Sequence, residues 1–161
     1  MNSQLDSFDI AILAVLQEDN LTAQREIAER VHLSPAAVQR RIQRLRESGV
    51  IAANTAVLDP DALGRPLTIF IEVELVNELD ALTAGFRSRV EVEGAVQQCY
   101  SVTGHTDYLL IVTAVDMQEY QTLTQRLFGS DQNIKRFTTS IALASLKRSL
   151  HMPLPSGERG V

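Results

Sequence analysis

The chain has no tryptophan, one cysteine and three histidines among its 161 residues, and each shortage closes off a class of function. A lone thiol, Cys99, builds no disulfide framework, and with three scattered histidines it supplies no set of soft metal ligands. A reducing cytoplasm is the expected compartment, and no metal or other cofactor is implied. Long apolar runs are missing as well. The run Ile10 to Leu16 is too short to cross a bilayer, and the polar start Met-Asn-Ser-Gln-Leu-Asp does not read as a secretory signal. Positive charge is in deficit, with 15 Lys and Arg against 20 Asp and Glu and a net charge of -5. That acidity weakens indiscriminate attraction to nucleic acid, so any contact with DNA must rest on a local cluster of cations.

Such a cluster lies between Leu21 and Ile51, where the pattern predicts two helices joined by a tight turn. Ile27, Ala28 and Val31 share one side of the first, and Ala28 is small enough for a second helix to cross closely. Ser34 is a preferred N-cap and Pro35 fits the first helical position, where its missing N–H costs nothing. Val38, Ile42 and Leu45 then recur at i, i+4 and i+7, the stripe of a helix facing a core. The opposite side presents Ala36, Arg40, Gln43 and Arg44. Within this helix Arg40, Arg41, Arg44 and Arg46 are answered only by Glu47. Gly49 ends it as a left-handed cap, and Val50 and Ile51 are expected to return to the core. A solvated basic face is the plain alternative. Caps, turn length, apolar stripe and charge agree instead on a helix-turn-helix, with Ser34, Ala36, Gln39, Arg40, Arg41, Gln43 and Arg44 as candidate contacts to double-stranded DNA.

Ahead of this motif, Asp6 or Ser7 caps a helix to about Gln17, with Ile10, Leu13 and Ala14 expected inside. Its unbroken apolar stretch suggests burial on more than one side. After it, the turn-rich stretch around Asp59, Pro60 and Gly64 reads as a hinge. Ile69, Ile71, Val73 and Leu75 alternate with polar neighbours in a half-buried strand. Leu79, Leu82, Phe86 and Val90 give a helix. Strands follow over Val96–Thr103 and Tyr108–Val115, then a helix opened by an Asp116/Glu119 capping box and carrying Tyr120, Leu123 and Leu127, then a long strand from Ile134 to Lys147. The order strand, helix, strand, strand, helix, strand predicts an α+β chain: a helix-turn-helix domain (1–53), a hinge (54–66), a ferredoxin-like βαββαβ domain (67–152) and a mobile tail (153–161). The uncovered sheet face carries Phe70 and Val76, which favours a homodimer.

Several motifs in one order, Leu5-Asp-x-x-Asp9-x-x-Ile-Leu13, Arg41-Ile-x-x-Leu45-x-x-x-Gly49-Val-Ile51, Leu58-Asp-Pro60 with Leu63-Gly64, and Val102-Thr-Gly104-x-x-Asp107-Tyr-Leu-Leu110, resemble the Lrp/AsnC family, the leucine-responsive and asparagine-operon regulators. The resemblance implies a transcription regulator whose βαββαβ domain assembles dimers, often into octamers, and senses a small molecule, usually an amino acid. It also implies an effector site shared with a neighbouring subunit. The matching positions are Gly104, Asp107 and Tyr108, with Met117, Thr138 and Ser140 further off and His105 and Thr106 as specificity positions. The loop's own chemistry is compatible: exposed N–H groups near Gly104 suit a carboxylate, and Asp107 suits an ammonium. A plain hairpin turn, with Asp107 bonding its own backbone, fits the same residues. His32 stands where the family often has glycine, so a left-handed turn there is expected to strain it.

Two rivals remain at this level. Tetrapyrrole-processing decarboxylases resemble the family in both domains, but His105 and His151 are the second domain's only histidines. Ser101, His105 and Asp107 lack the donors a nucleophilic triad needs. A sensing module without DNA binding is contradicted by the intact arginine face. The expected activity is therefore effector-responsive binding to a roughly palindromic operator, with the paired helices about 34 Å apart.

Overall fold

The computed structural model describes residues 5–77 and 79–155, which divide into two units. In the first, a reciprocal box opens helix α1 (Ser7–Glu18): Asp6 accepts from the Asp9 N–H at 2.9 Å, and the Asp9 carboxylate accepts from the Asp6 N–H at 3.2 Å. The helix buries Asp9, Ile12, Leu13 and Val15, while Ile10 and Ala14 stay half-buried. The expected inner face was Ile10, Leu13 and Ala14. A run apolar all round does not choose its own rotation; the buried carboxylate of Asp9, paired across to another helix, chooses it.

Helix α2 (Gln24–Val31) ends at His32, which takes φ 55° and ψ 46° and is the only non-glycine residue with positive φ among those described. The strain expected from His in place of glycine is thus present, worth roughly 1–2 kcal/mol. Helix α3 (Pro35–Glu47) starts as predicted, with Ser34 Oγ accepting from the Ala37 N–H at 3.2 Å. Gly49 closes it at φ 76°; its N–H reaches the Arg46 carbonyl and the Ile51 N–H the Leu45 carbonyl. Only Ile51 returns to the core, since Val50 is exposed. Ile12, Ile27, Ala28, Val38 and Ile42 form the shared core.

The second unit runs β1 (Leu67–Leu75), α4 (Asp80–Val92), β2 (Val96–Ser101), β3 (Tyr108–Ala114), α5 (Met117–Phe128) and β4 (Ile134–Ile141). Its strands pair antiparallel in the order β2-β3-β1-β4, the expected ferredoxin-like α+β arrangement. Ile69, Ile71, Val73, Leu110 and Val112 line the core face and pack with Phe86 of α4 and Leu123 and Leu127 of α5. Phe86 lies 4.9 Å from Tyr108 and Phe128 4.7 Å from Phe137, ring centre to ring centre.

Three predicted boundaries move. β2 stops at Ser101, where the Val102 N–H bonds the Asp107 carbonyl and closes the hairpin. β4 stops at Ile141 rather than Lys147, because its partner β1 begins at Leu67; the Ala142 N–H bonds the Thr68 carbonyl, and among the described residues no partner strand extends beyond. From 147 the chain groups with the helical unit, not with the sheet: the Gln17 amide donates to the Met152 carbonyl at 3.1 Å and accepts from its N–H at 2.7 Å. The first division, between 56 and 57, falls inside the expected hinge. Residues 156–161 of the expected mobile tail lie outside the described residues. No helix among the described residues is long and apolar enough to cross a membrane.

The start of α5 departs from the predicted box in one half. Asp116 accepts from the Glu119 N–H at 2.8 Å, but the Glu119 carboxylate accepts from the Val115 N–H at 2.6 Å and from Arg65 at 2.8 Å. Arg65 also donates to the Thr113 carbonyl at 2.9 Å, which fixes the segment entering β1. The Val115 N–H, then Arg65, hold the Glu119 carboxyl below its ordinary value of 4.5.

Two outcomes follow for stability. Ile71→Ala, at a position with no exposure, should cost about 2–5 kcal/mol in denaturant titration of the sheet unit. Because the folded Glu119 titrates low, its contribution is complete above the ordinary value and disappears as pH falls through the folded one. The stability gap between wild type and Glu119→Gln should therefore hold constant above about pH 5 and close in more acid solution.

Candidate nucleic-acid interface and effector region

α3 offers Ser34, Ala36, Gln39, Arg40, Gln43 and Arg44 as exposed residues, all six of them predicted DNA contacts. The seventh, Arg41, is different. Its guanidinium meets Asp6 at 2.7 Å and Asp9 at 2.8 Å and lies 5.3 Å from the centre of the Phe8 ring. Arg44 bonds the other Asp9 oxygen at 2.5 Å through Nη2 while half its side chain stays exposed. Arg40 makes no ion pair among the described residues. Gln43 donates to Glu47 at 2.8 Å, a bond that an adenine edge or a phosphate can replace. Leu33, Ala37, Arg40, Arg41 and Arg44 line an open hollow on this face.

The partners of Arg41 were not assigned by sequence reasoning. The motif Leu5-Asp-x-x-Asp9 was visible, but a pattern within one helix does not say which face of another helix it meets. Burial pushes the Asp6 carboxyl up, yet the Asp9 N–H and Arg41 outweigh it and hold Asp6 below the usual carboxylate value. Around α2 the charges pair internally: Arg30 with Glu26 at 2.5 Å and Arg25 with Glu29 at 3.4 Å. The helix that precedes the turn therefore contributes little free positive charge.

The second predicted region is the loop between β2 and β3. Gly104 takes φ 127°, a conformation L side chains rarely adopt, and a Cβ there would meet nothing within 4 Å. Glycine is needed for the bend rather than for space. His105 is exposed. The Thr106 hydroxyl donates to the Val73 carbonyl at 2.7 Å, the Asp107 N–H donates to the same carbonyl at 2.9 Å, and Asp107 Oδ2 accepts from the Leu75 N–H at 2.6 Å. One Asp107 oxygen thus anchors the loop to β1, a partner neither the ammonium nor the local-turn reading had named, and it is not spent on His105. Tyr108 is a core residue, buried beside Phe86, its hydroxyl accepting from Arg87 Nε at 3.2 Å.

Of the remaining three positions, Met117 does not converge on that loop within one chain. Met117 begins α5 beyond the far end of β3, a strand of seven residues. At about 3.3 Å per residue that strand holds the two roughly 20 Å apart. Thr138 and Ser140 stand opposite Glu72 and Phe70 on the sheet face away from the helices, while Thr139 between them turns inward and bonds the Tyr120 hydroxyl. Asp107→Ala should destabilise the sheet unit by roughly 1–3 kcal/mol, and Asp107→Asn, whose amide oxygen still accepts from Leu75, by less; thermal unfolding reads both.

Comparison with known proteins bears on both regions. A family model described as winged helix-turn-helix DNA-binding matches residues 5–52, and one described as Lrp/AsnC ligand binding domain matches residues 68–152. The chain is 39% identical over 151 residues to the HTH-type transcriptional regulator y4tD of Sinorhizobium fredii, covering 94% of this chain and 89% of that one. It is 34% identical to the leucine-responsive regulatory protein of Haemophilus influenzae, covering 76% and 74%. Among solved structures it resembles a transcriptional regulator of Neisseria meningitidis in complex with L-Met, with a TM-score of 0.86 and 31% identity over 93% of this chain and 97% of that one.

Proposed function

We propose that this chain, which belongs to the Lrp/AsnC family of helix-turn-helix DNA-binding transcriptional regulators, reads a specific operator through α3 and changes that binding when an amino acid occupies its sheet domain. The observation that carries the DNA half is the exposed face of α3. Ala36 near its N-terminus lets the helix sit deep, Arg40 presents forked donors and Gln39 an amide donor and acceptor suited to base edges, Ser34 and Gln43 flank them for bases or phosphates, and Arg44, half exposed, reaches DNA only where its bond to Asp9 yields. Arg40, without an ion pair among the described residues, is the leading base contact.

The effector half rests on the resemblance to the regulator solved with L-Met and on the geometry of the loop. Gly104, His105 and Thr106 offer a bent backbone next to the one Asp107 oxygen left over from the Leu75 bond. The separation of that loop from Met117 suits a site shared between subunits, because a second copy of the chain can bring in what the first holds elsewhere. A homodimer, and an octamer built from it, supplies such a neighbour and pairs two copies of α3 for a palindromic site. The protein would act in the cytoplasm, where bacterial DNA lies.

Selection of bound fragments from the source genome, repeated with a mixture of the twenty amino acids, tests both halves. The expected result is a recurrent palindrome whose enrichment shifts with the mixture. Enrichment of no fragment by folded, oligomeric protein would refute the operator reading, and enrichment indifferent to every amino acid would refute the effector reading. On the operator so found, Arg40→Ala should lose about 1–3 kcal/mol with relaxed preference at one base; an equal loss on all sequences reassigns it to a phosphate.

A further inference from the structure

Of the four arginines in α3, two are held by carboxylates of α1. Arg41 is gripped from three directions, by Asp6, by Asp9 and by the ring of Phe8, and only 24% of its side chain is exposed. Asp9 has no exposure at all and divides its two oxygens between Arg41 and Arg44. The start of α1 does not demand this charge. Its box needs an oxygen at position 9 to accept from the Asp6 N–H, which a neutral amide also supplies. A buried carboxylate is a costly way to fill that place unless its charge serves a purpose.

We propose that Asp9, assisted by Asp6, is a specificity-determining residue of the DNA-binding face: its carboxylate competes with DNA phosphates for Arg41 and Arg44. The inference rests on the DNA-binding reading above. Phosphate attraction is blind to sequence and supplies nearly all of the affinity for random DNA, whereas base contacts add affinity only at the operator. Withdrawing cations from phosphate therefore lowers binding to random sequence while leaving Arg40 and Gln39 free to read bases. The discrimination ratio rises because its denominator falls.

The test is the salt dependence of full-chain binding to a random-sequence DNA duplex. Asp9→Asn should steepen the plot of log affinity against log salt by about 0.9 for each arginine released, thus up to about two in slope. Arg41→Gln alone should leave the wild-type slope unchanged, but placed in Asp9→Asn it should remove about half of the steepening. A merely structural role for Asp9 would lower thermal stability and move neither slope. Asp6→Asn keeps a good N-cap and removes one of the two carboxylates on Arg41, so it should steepen the slope less and in the same direction. If Asp9→Asn loses its helical signal, Asp6→Asn decides. Unchanged or shallower slopes in the folded variants overturn the proposal, as does an Arg41→Gln slope below wild type, which would put Arg41 on a phosphate already. Wild-type protein that binds no duplex at all refutes the DNA reading, and this inference with it.

Discussion

Asp9 is a carboxylate shut off from water, and an ion in that position costs several kcal/mol unless opposite charge and hydrogen bonds meet it. The helical unit is arranged around meeting it. The Asp6 N–H, Arg41 and Arg44 take its two oxygens, so the first helix is rotated to aim Asp9 at the third, and the third is held with its two central arginines turned back toward the first. Val38, Ile42 and Leu45 then fall into the core, and Ser34, Gln39, Arg40 and Gln43 onto the outside. The orientation of the DNA-reading surface is thus fixed partly by a helix that need not touch DNA itself.

The sheet unit is governed by a different requirement, continuity of pairing. β1 lies between β3 and β4 and is the only strand bonded to both, so its length sets where each of them can stop. The loop after β2 is tied to the same strand through Val73 and Leu75, which makes β1 the common support of the core and of the proposed effector loop.

Much of this was legible in the sequence, for reasons that are local. Ser34 with Pro35 marks a helix start because capping and the missing N–H act within one turn, Gly49 marks its end because only glycine enters the left-handed region freely, and the alternation from Ile69 to Leu75 needs one buried face. What the sequence hid depends on partners far along the chain. The pairing of Asp9 with Arg41 spans 32 positions, that of Asp107 with Leu75 the same number, and the end of β4 is decided by where β1 begins. Arg41 shows the difference most clearly: read within its own helix it looks like one cation among four, and only the neighbouring helix reveals that its charge is engaged. The effector positions were carried by resemblance, and within one chain Met117 stands at the opposite end of β3 from the loop.

The return of the chain from 147 onward to the helical unit, fastened by Gln17 and Met152, bears on how such proteins can diversify. A gene exchange with a single crossover in the hinge would join the helices of one parent to a closing segment from the other, mismatching a packed surface inside the DNA-binding unit. Clean replacement of the sheet unit takes two crossovers, one on each side of it. The sheet unit in this architecture is therefore exchanged as an insert rather than as a tail.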